Sequence, residues 1–587
     1  FCLLQPVDAA KSAGRLLMDV ANRGRKLTVA MYNRGARMLE ASTAIDPGDG
    51  FLFDRGWTLA WVGWQWDVPR QPALLALEAP QALGPDGQPI AGQILVQFQP
   101  TQHEAARLLS DRGHLPYPAA TLDQPDAALY VREHPEAERV RLPRDTWQFA
   151  RDEGGKPAPD PEWVWCANGF EAGKIYEVVY TTGACPVVGT GLLAMRDAAA
   201  FLRHGGEGVG SPAHPVSHAY VFGMSQSGRF LRTLLYHGLN LDEAGRQVYD
   251  GMHIHVAGAR RGQFNHRYAQ PSAQPPRGFG HLSPYTYDDD PAASGEGLLS
   301  TQRRLGGMPK LVETNTSAEY WRGDASLLHI DPATGRDRTL PADVRLYHLA
   351  GTQHVPGTVP PVSLSPEGAR GAHGGSVADY GLLLRAALIN LDRWVTDGTP
   401  PPANAHPNFR DGTAMSQARV LEVARTIPGA TLPDPTRLNR LHPLDLGPAA
   451  AQGVGAYPAV EGPALPCWVA AVDPDGNERG GVRMPDLDVP VATHLGWNPR
   501  HSSIGGAGQI VDMQGSALPF PRTATERAGT RDVRPSLAER YPSRQAYLDR
   551  VRTQAAATAA AGYLLPEDID AAVDIAAARW DWATADH

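Results

Sequence analysis

Residues 218–239 constrain this chain more than any other stretch. An apolar run, Ala219 to Phe222, enters Gly223-Met224-Ser225-Gln226-Ser227-Gly228, and a helix-like run from Arg229 to Leu239 follows at once. The pattern reads as strand, sharp turn, helix, with Ser225 at the apex. A nucleophile elbow of this kind needs small residues two positions either side of the apex. Gly223 and Ser227 meet that need for Ser225. Centred on Ser227, the flanking positions are Ser225 and Arg229, and the rule fails. The elbow lifts a hydroxyl above the sheet edge and aims the next N–H, that of Gln226, at an incoming carbonyl oxygen. Short Gly-Ser-Gly patterns also arise by chance among 61 glycines, so the flanking strand and helix carry the weight.

The rest of the chain agrees with a strand-helix alternation. Arg15 to Val20 and Trp57 to Trp64 are nearly continuous apolar runs, the mark of strands buried on both faces. Lys26 to Tyr32 reads as another short strand. Leu192 to Arg203 reads as helix, then Met252 to Ala257, Lys310 to Thr314 and Val344 to Leu349 as strands. Ser376 to Asp397 is helical, with Tyr380, Leu383, Leu384, Ala387 and Leu391 on one face. This predicts an α/β fold with a mostly parallel central sheet covered by helices.

The expected layout has four parts: residues 1–67 as the first part of the core, 68–173 as a β-rich insertion, 174–400 as the main core, and 401–587 as an extension packed on it. Within the third part, residues 262–307 form a long Pro-rich excursion of the kind that caps active sites. Ser543 to Leu564 is a further helix.

The net charge of −9 is small for 587 residues, and no basic block points to nucleic acid. No apolar run reaches the length of a membrane span. The chain starts at Phe1 rather than Met, which reads as a trimmed start; compartment and oligomeric state stay open. Four cysteines, Cys2, Cys166, Cys185 and Cys467, form no C-x-x-C pair. Cys166 and Cys185 are either a cross-strand disulfide or two buried thiols. Asp288-Asp289-Asp290 and Asp473-Pro474-Asp475-Gly476-Asn477 offer oxygen ligands, but the second lacks a closing Glu and Asp-Gly favours a hairpin turn. Neither a metal nor a cofactor is expected.

A serine at such an elbow is activated by a histidine that an acid orients, in the chain order nucleophile, acid, histidine. His354 lies in a Gly-rich loop beyond the strand Val344–Leu349 and is the expected general base; His348, inside that strand, reads as structural. Glu319 follows the preceding strand and is the favoured acid, with Asp324 and Glu313 as rivals. The first oxyanion donor is the Gln226 N–H. The second comes from the turn at Arg23 and Gly24 or, alternatively, from Trp64 and Gln65.

Several segments resemble the large bacterial "alpha/beta hydrolase domain-containing" proteins: Ala257 to Arg267, Thr314 to Trp321, Leu349 to His354, Val188 to Asp197 and Ser536 to Tyr541. The resemblance spans nearly the whole chain. It implies an α/β-hydrolase fold and a serine carboxylesterase acting on a small-molecule ester, with Ser225, Glu319 and His354 as the triad; it does not name the ester. Acyl transfer or amide cleavage by the same triad is the alternative, and a silent binding protein on this scaffold would need a missing triad member. Trp64, Trp66, Phe264, His266, Tyr268 and Tyr320 are the expected aromatic lining of a substrate pocket.

Overall fold

The computed structural model describes residues 1–35, 44–289, 295–365 and 367–585. Its centre is a mixed seven-stranded sheet. In chain order the strands are β1 (Cys2–Leu4), β2 (Arg15–Val20), β3 (Thr58–Val62), β4 (His218–Met224), β5 (Gly251–His255), β6 (Lys310–Thr316) and β7 (Val344–Leu349). Their spatial order is β1-β3-β2-β4-β5-β6-β7. β1 runs antiparallel to β3, and every other neighbouring pair is parallel.

Alternate residues of each strand point to opposite faces, and the sequence uses both. Leu16, Met18 and Val20 of β2 and Ala219 and Val221 of β4 pack on one side, against helix α2 (Thr190–His204) and helix α3 (Gln226–Tyr236). Leu17 of β2 and Tyr220 and Phe222 of β4 pack on the other, against α1 (Thr28–Tyr32) and α5 (Gly381–Thr396). The short helix α4 (Ser317–Trp321) follows β6 directly. In α2, Leu192, Met195, Ala199 and Leu202 recur at helical spacing and are buried; the helix stops at Gly205, whose φ of 75° ends the helical path.

Two boundaries differ from the sequence reading. Residues Thr28–Tyr32 are helical rather than extended, because the Asp19 carboxylate accepts the Leu27 and Thr28 N–H groups and caps the turn. The small antiparallel sheets that follow β3 continue past 173, since Ile175–Thr182 pairs with both Gly92–Phe98 and Ala128–Arg132. These sheets enclose an apolar cluster of their own, including Val96, Leu129, Phe170 and Val178.

The C-terminal residues are not a loose appendage. Helices Arg544–Ala560 and Ile569–Thr584 pack on each other, and Ala555, Leu564 and Leu565 join the core on the α5 side. All four cysteines are free thiols. Among the described residues no helix is long and apolar enough to cross a membrane.

Candidate active site

In a parallel sheet the carboxyl ends of the strands share one edge, where ligands bind. Ser225 follows β4, Glu319 lies three residues beyond β6, and His354 lies in the loop after β7. Chain connectivity therefore brings the three to the same edge.

Ser225 has φ 61° and ψ −117°, outside the regions that L-residues prefer. Its N–H donates to His255 O at 2.8 Å, and its carbonyl accepts the Arg229 N–H at 2.9 Å. The turn is so tight that a Cβ on Gly223 would sit 2.4 Å from Ser227 O, so glycine is required there. The Gln226 N–H opens α3 and has no acceptor within the helix.

Glu319 is fully buried and uses both oxygens. Oε1 lies 2.6 Å from His354 Nδ1. Oε2 accepts the Thr316 N–H at 2.8 Å and the Thr316 hydroxyl at 2.5 Å, closing a capping box at the start of α4. Burial alone would raise the Glu319 pKa, but the His354 imidazole, Arg322 and the Thr316 hydroxyl outweigh it and hold the carboxyl below its usual value. The rival carboxylates are engaged elsewhere. Glu313 pairs with Arg232 at 3.1 Å and accepts the Tyr287 hydroxyl at 2.6 Å. Asp324 pairs with Arg260 and Arg322, both at 3.1 Å. Burial opposes ionisation of Asp324, yet Arg322 first, then Arg260 and Arg229, bring it down to about 2.

The turn after β2 touches the elbow. Asn22 Nδ2 donates to Met224 O at 2.7 Å, and Arg23 and Gly24 carry φ of 49° and 80°. Arg23 Nη2 donates to Ser272 O at 2.7 Å. The side chain of Gln65, in the alternative donor loop, accepts the Gln226 side-chain amide through its Oε1 at 2.9 Å and donates to Asp67 at 2.6 Å. Its side chain orients Gln226. The backbone carbonyl of Trp64 faces Gly191 of α2, where a Cβ would meet it at 2.2 Å.

The excursion 262–307 splits in two. Its early part lies against the elbow: Pro271 O accepts Gln226 Nε2 at 2.7 Å, and Gln274 Oε1 accepts Arg229 Nη1 at 2.7 Å. Its later part turns into the body, where Tyr285 O accepts Arg232 Nη2 and Tyr287 reaches Glu313. Asp288 pairs with Arg303 and Asp289 accepts the Gly297 N–H, while Asp290 lies outside the described residues. Residues 473–477 form the expected turn, with Gly476 N–H donating to Asp473 O.

The six aromatic residues expected to line a pocket divide by burial. Trp64 is buried, donates Nε1–H to Ala21 O at 2.8 Å and packs on Phe230 and Phe264, which is equally buried. Tyr268 joins the apolar cluster of the small sheets and donates to Ile90 O at 3.1 Å. Tyr320 is buried with its hydroxyl on His329 Nε2 at 2.9 Å. These four side chains are packed against protein neighbours in the free chain. Trp66 and His266 stay half-buried, Trp66 against Tyr117 and His266 stacked on Phe279 at 4.2 Å. Burial lowers the His266 pKa to about 3.

Three residues shape the site that the sequence reading had not placed there: Glu478 and Met513, which it did not name, and Tyr380, which it read only as part of a helix face. Glu478 Oε2 accepts the Ser317 hydroxyl at 2.6 Å and the Gly351 N–H at 2.7 Å, and lies 2.8 Å from His348 Nε2. It thus ties the acid's helix to the histidine's loop. Met513 O accepts the His354 N–H at 3.2 Å. Tyr380 donates its hydroxyl to His354 O at 2.7 Å. Nothing local in the sequence marks Glu478 or Met513, which act across more than 100 residues of chain.

No curated protein and no solved structure matches the chain. A family model described as "Alpha/beta hydrolase domain" matches residues 166–574, well over half of the 587 residues, and the chain belongs to that family.

Proposed function

We propose that this hydrolase cleaves carboxylic esters in two steps through an acyl-enzyme on Ser225. The observation that carries the reading is the Glu319–His354 contact at 2.6 Å, on the sheet edge where Ser225 stands in an elbow conformation. Held at Nδ1 by Glu319, His354 keeps Nε2 free to take the Ser225 proton as the oxygen attacks the ester carbonyl. Glu319 fixes the tautomer and stabilises the imidazolium. The Gln226 N–H receives the developing oxyanion, with the Arg23–Gly24 turn as the second donor; each such donor is worth roughly 3 kcal/mol. His354 then protonates the leaving alcohol, and water activated by the same imidazole releases the acid. Residues 271–274, packed on the elbow, serve as one wall over the site and contribute to substrate choice.

The test is hydrolysis of p-nitrophenyl esters of graded chain length beside an amide analogue, with fluorophosphonate labelling located by peptide mass. Wild type should cleave the esters and carry the label on Ser225. Ser225→Ala should keep the fold and lose about 10⁶ in kcat. A variant retaining more than a few per cent of the rate would refute Ser225, and faster cleavage of the amide would turn the reading to an amidase.

A further inference from the structure

We propose that Tyr380 is a positioning residue for His354, aimed by a one-way chain of buried hydrogen bonds that starts at Tyr32. The proposal rests on the reading of His354 as the base. His253 and His255 alternate along β5, so both imidazoles share one face of the sheet. Thr314 of β6 stands in register with His255. Tyr32 at the end of α1 and Tyr380 just before α5 cover that face.

The contacts run without a gap. The Tyr32 hydroxyl lies 2.6 Å from His253 Nδ1, and His253 Nε2 lies 3.2 Å from Thr314 Oγ1. Thr314 Oγ1 lies 2.8 Å from His255 Nδ1, and His255 Nε2 lies 3.2 Å from the Tyr380 hydroxyl. Tyr380 ends the chain on the His354 carbonyl at 2.7 Å.

Proton counting fixes the direction of every link. A carbonyl oxygen only accepts, so the single Tyr380 proton goes to His354 O. Tyr380 must then accept from His255 Nε2–H. A neutral imidazole with its proton on Nε2 accepts at Nδ1, so Thr314 donates there. Thr314 has no second proton and accepts from His253 Nε2–H, which leaves His253 Nδ1 to accept from Tyr32. Burial supports the neutral forms: it lowers His253 to about 3 and His255 well below the usual range. Every donor in the chain is used once. The result holds the His354 backbone from both sides, by Tyr380 at its carbonyl and by Met513 at its N–H, while Glu319 holds the ring. The same strand also supplies the carbonyl of His255 that accepts the Ser225 N–H, so one element sets both nucleophile and base.

The experiment compares wild type, Tyr380→Phe, Thr314→Val and Thr314→Ser in full-length protein. Steady-state kinetics on a p-nitrophenyl ester gives kcat and KM, and the low-field proton resonance of His354 Nδ1–H reports its bond to Glu319. Tyr380→Phe should lower kcat about 10- to 100-fold, since misplacing a reacting group by an ångström costs up to that factor. KM should stay within about twofold, and the resonance should shift or broaden. Thr314→Val touches neither Ser225 nor His354, yet it removes the donor that sets the His255 tautomer. It should shift the resonance and lower kcat in the same direction, and Thr314→Ser, which keeps the hydroxyl, should recover most of the loss. Wild-type kcat and an unmoved resonance in Tyr380→Phe would overturn the proposal. Equal losses in Thr314→Val and Thr314→Ser would overturn the directional chain. If circular dichroism shows Tyr380→Phe unfolded, the two Thr314 variants decide. An inactive wild type would instead sink the triad reading, and the resonance would still test the positioning.

Discussion

Replacing Glu319 by Gln isolates what the carboxylate does for His354. In the native site one oxygen faces His354 Nδ1, and the other accepts two donors from Thr316. In Glu319→Gln only the carbonyl oxygen can accept the Thr316 N–H. The NH2 group must then face His354, so the imidazole presents Nδ1 as an acceptor and carries its proton on Nε2. That tautomer cannot take a proton from Ser225. Flipping the amide would set NH2 against the Thr316 N–H in a fully buried site, at about 1–3 kcal/mol for the unmade bond. The productive orientation is thus held to one molecule in about 5 to 150. Losing the negative charge beside the imidazolium accounts for the remainder of an expected loss of about 10⁴ in kcat. Because the capping oxygen survives, the melting midpoint should move by no more than a few degrees. Glu319→Ala, by contrast, also opens the capping box and should cost a further 1–2 kcal/mol or so of stability. Ester-hydrolysis kinetics and thermal unfolding on both variants check this. A Glu319→Gln enzyme within tenfold of wild-type kcat, or one as unstable as Glu319→Ala, would refute the reasoning.

Two other outcomes follow from buried side chains. Burial raises the Asp19 carboxyl to about 6, against about 4 in an unfolded chain, although the bonds from Thr28, Trp61 and Leu27 oppose the rise. Between those values the folded protein holds a proton that the unfolded chain releases, so this stabilisation is full below about pH 4 and is lost as pH climbs to about 6. Two units correspond to roughly 3 kcal/mol; the stability difference between wild type and Asp19→Asn in urea unfolding should change by that order between pH 4 and 7, and a pH-independent difference would contradict the argument. Phe264→Ala should cost about 3–5 kcal/mol in chemical denaturation, because Phe264 fills the core beside Trp64 and Phe230; unchanged stability with an altered acyl-chain preference would return Phe264 to the substrate wall.

The features legible in the sequence are those written in local pattern. The β4–α3 elbow announces itself through Gly223 and Ser227 because the geometry tolerates nothing larger there. Glu319 and His354 could be picked out because each lies just past a recognisable strand, and the strands are parallel. The burial of Trp64 and Phe264 was not legible, because an aromatic side chain carries the same chemistry whether it lines a cleft or fills a core, and burial depends on neighbours far along the chain. Thr28–Tyr32 misled for a related reason. Its β-branched and aromatic residues favour a strand, and the cap from Asp19, eight residues earlier, tips it to helix. The ends of the small sheets were set by pairing partners such as Gly92–Phe98, which no reading of Ile175–Thr182 alone contains.

Glu478 and Met513 give the molecule a history as well as a shape. A ribosome releases the chain from the N-terminus, and units fold as they emerge. Ser225 and its strand leave well before the residues that clamp Gly351 and the backbone of His354. Through that interval the histidine loop lacks two of its anchors. The serine elbow is therefore made early and the histidine loop fixed late, and a chain cut short before Met513 should carry Ser225 in a body whose His354 has not yet gained all its anchors.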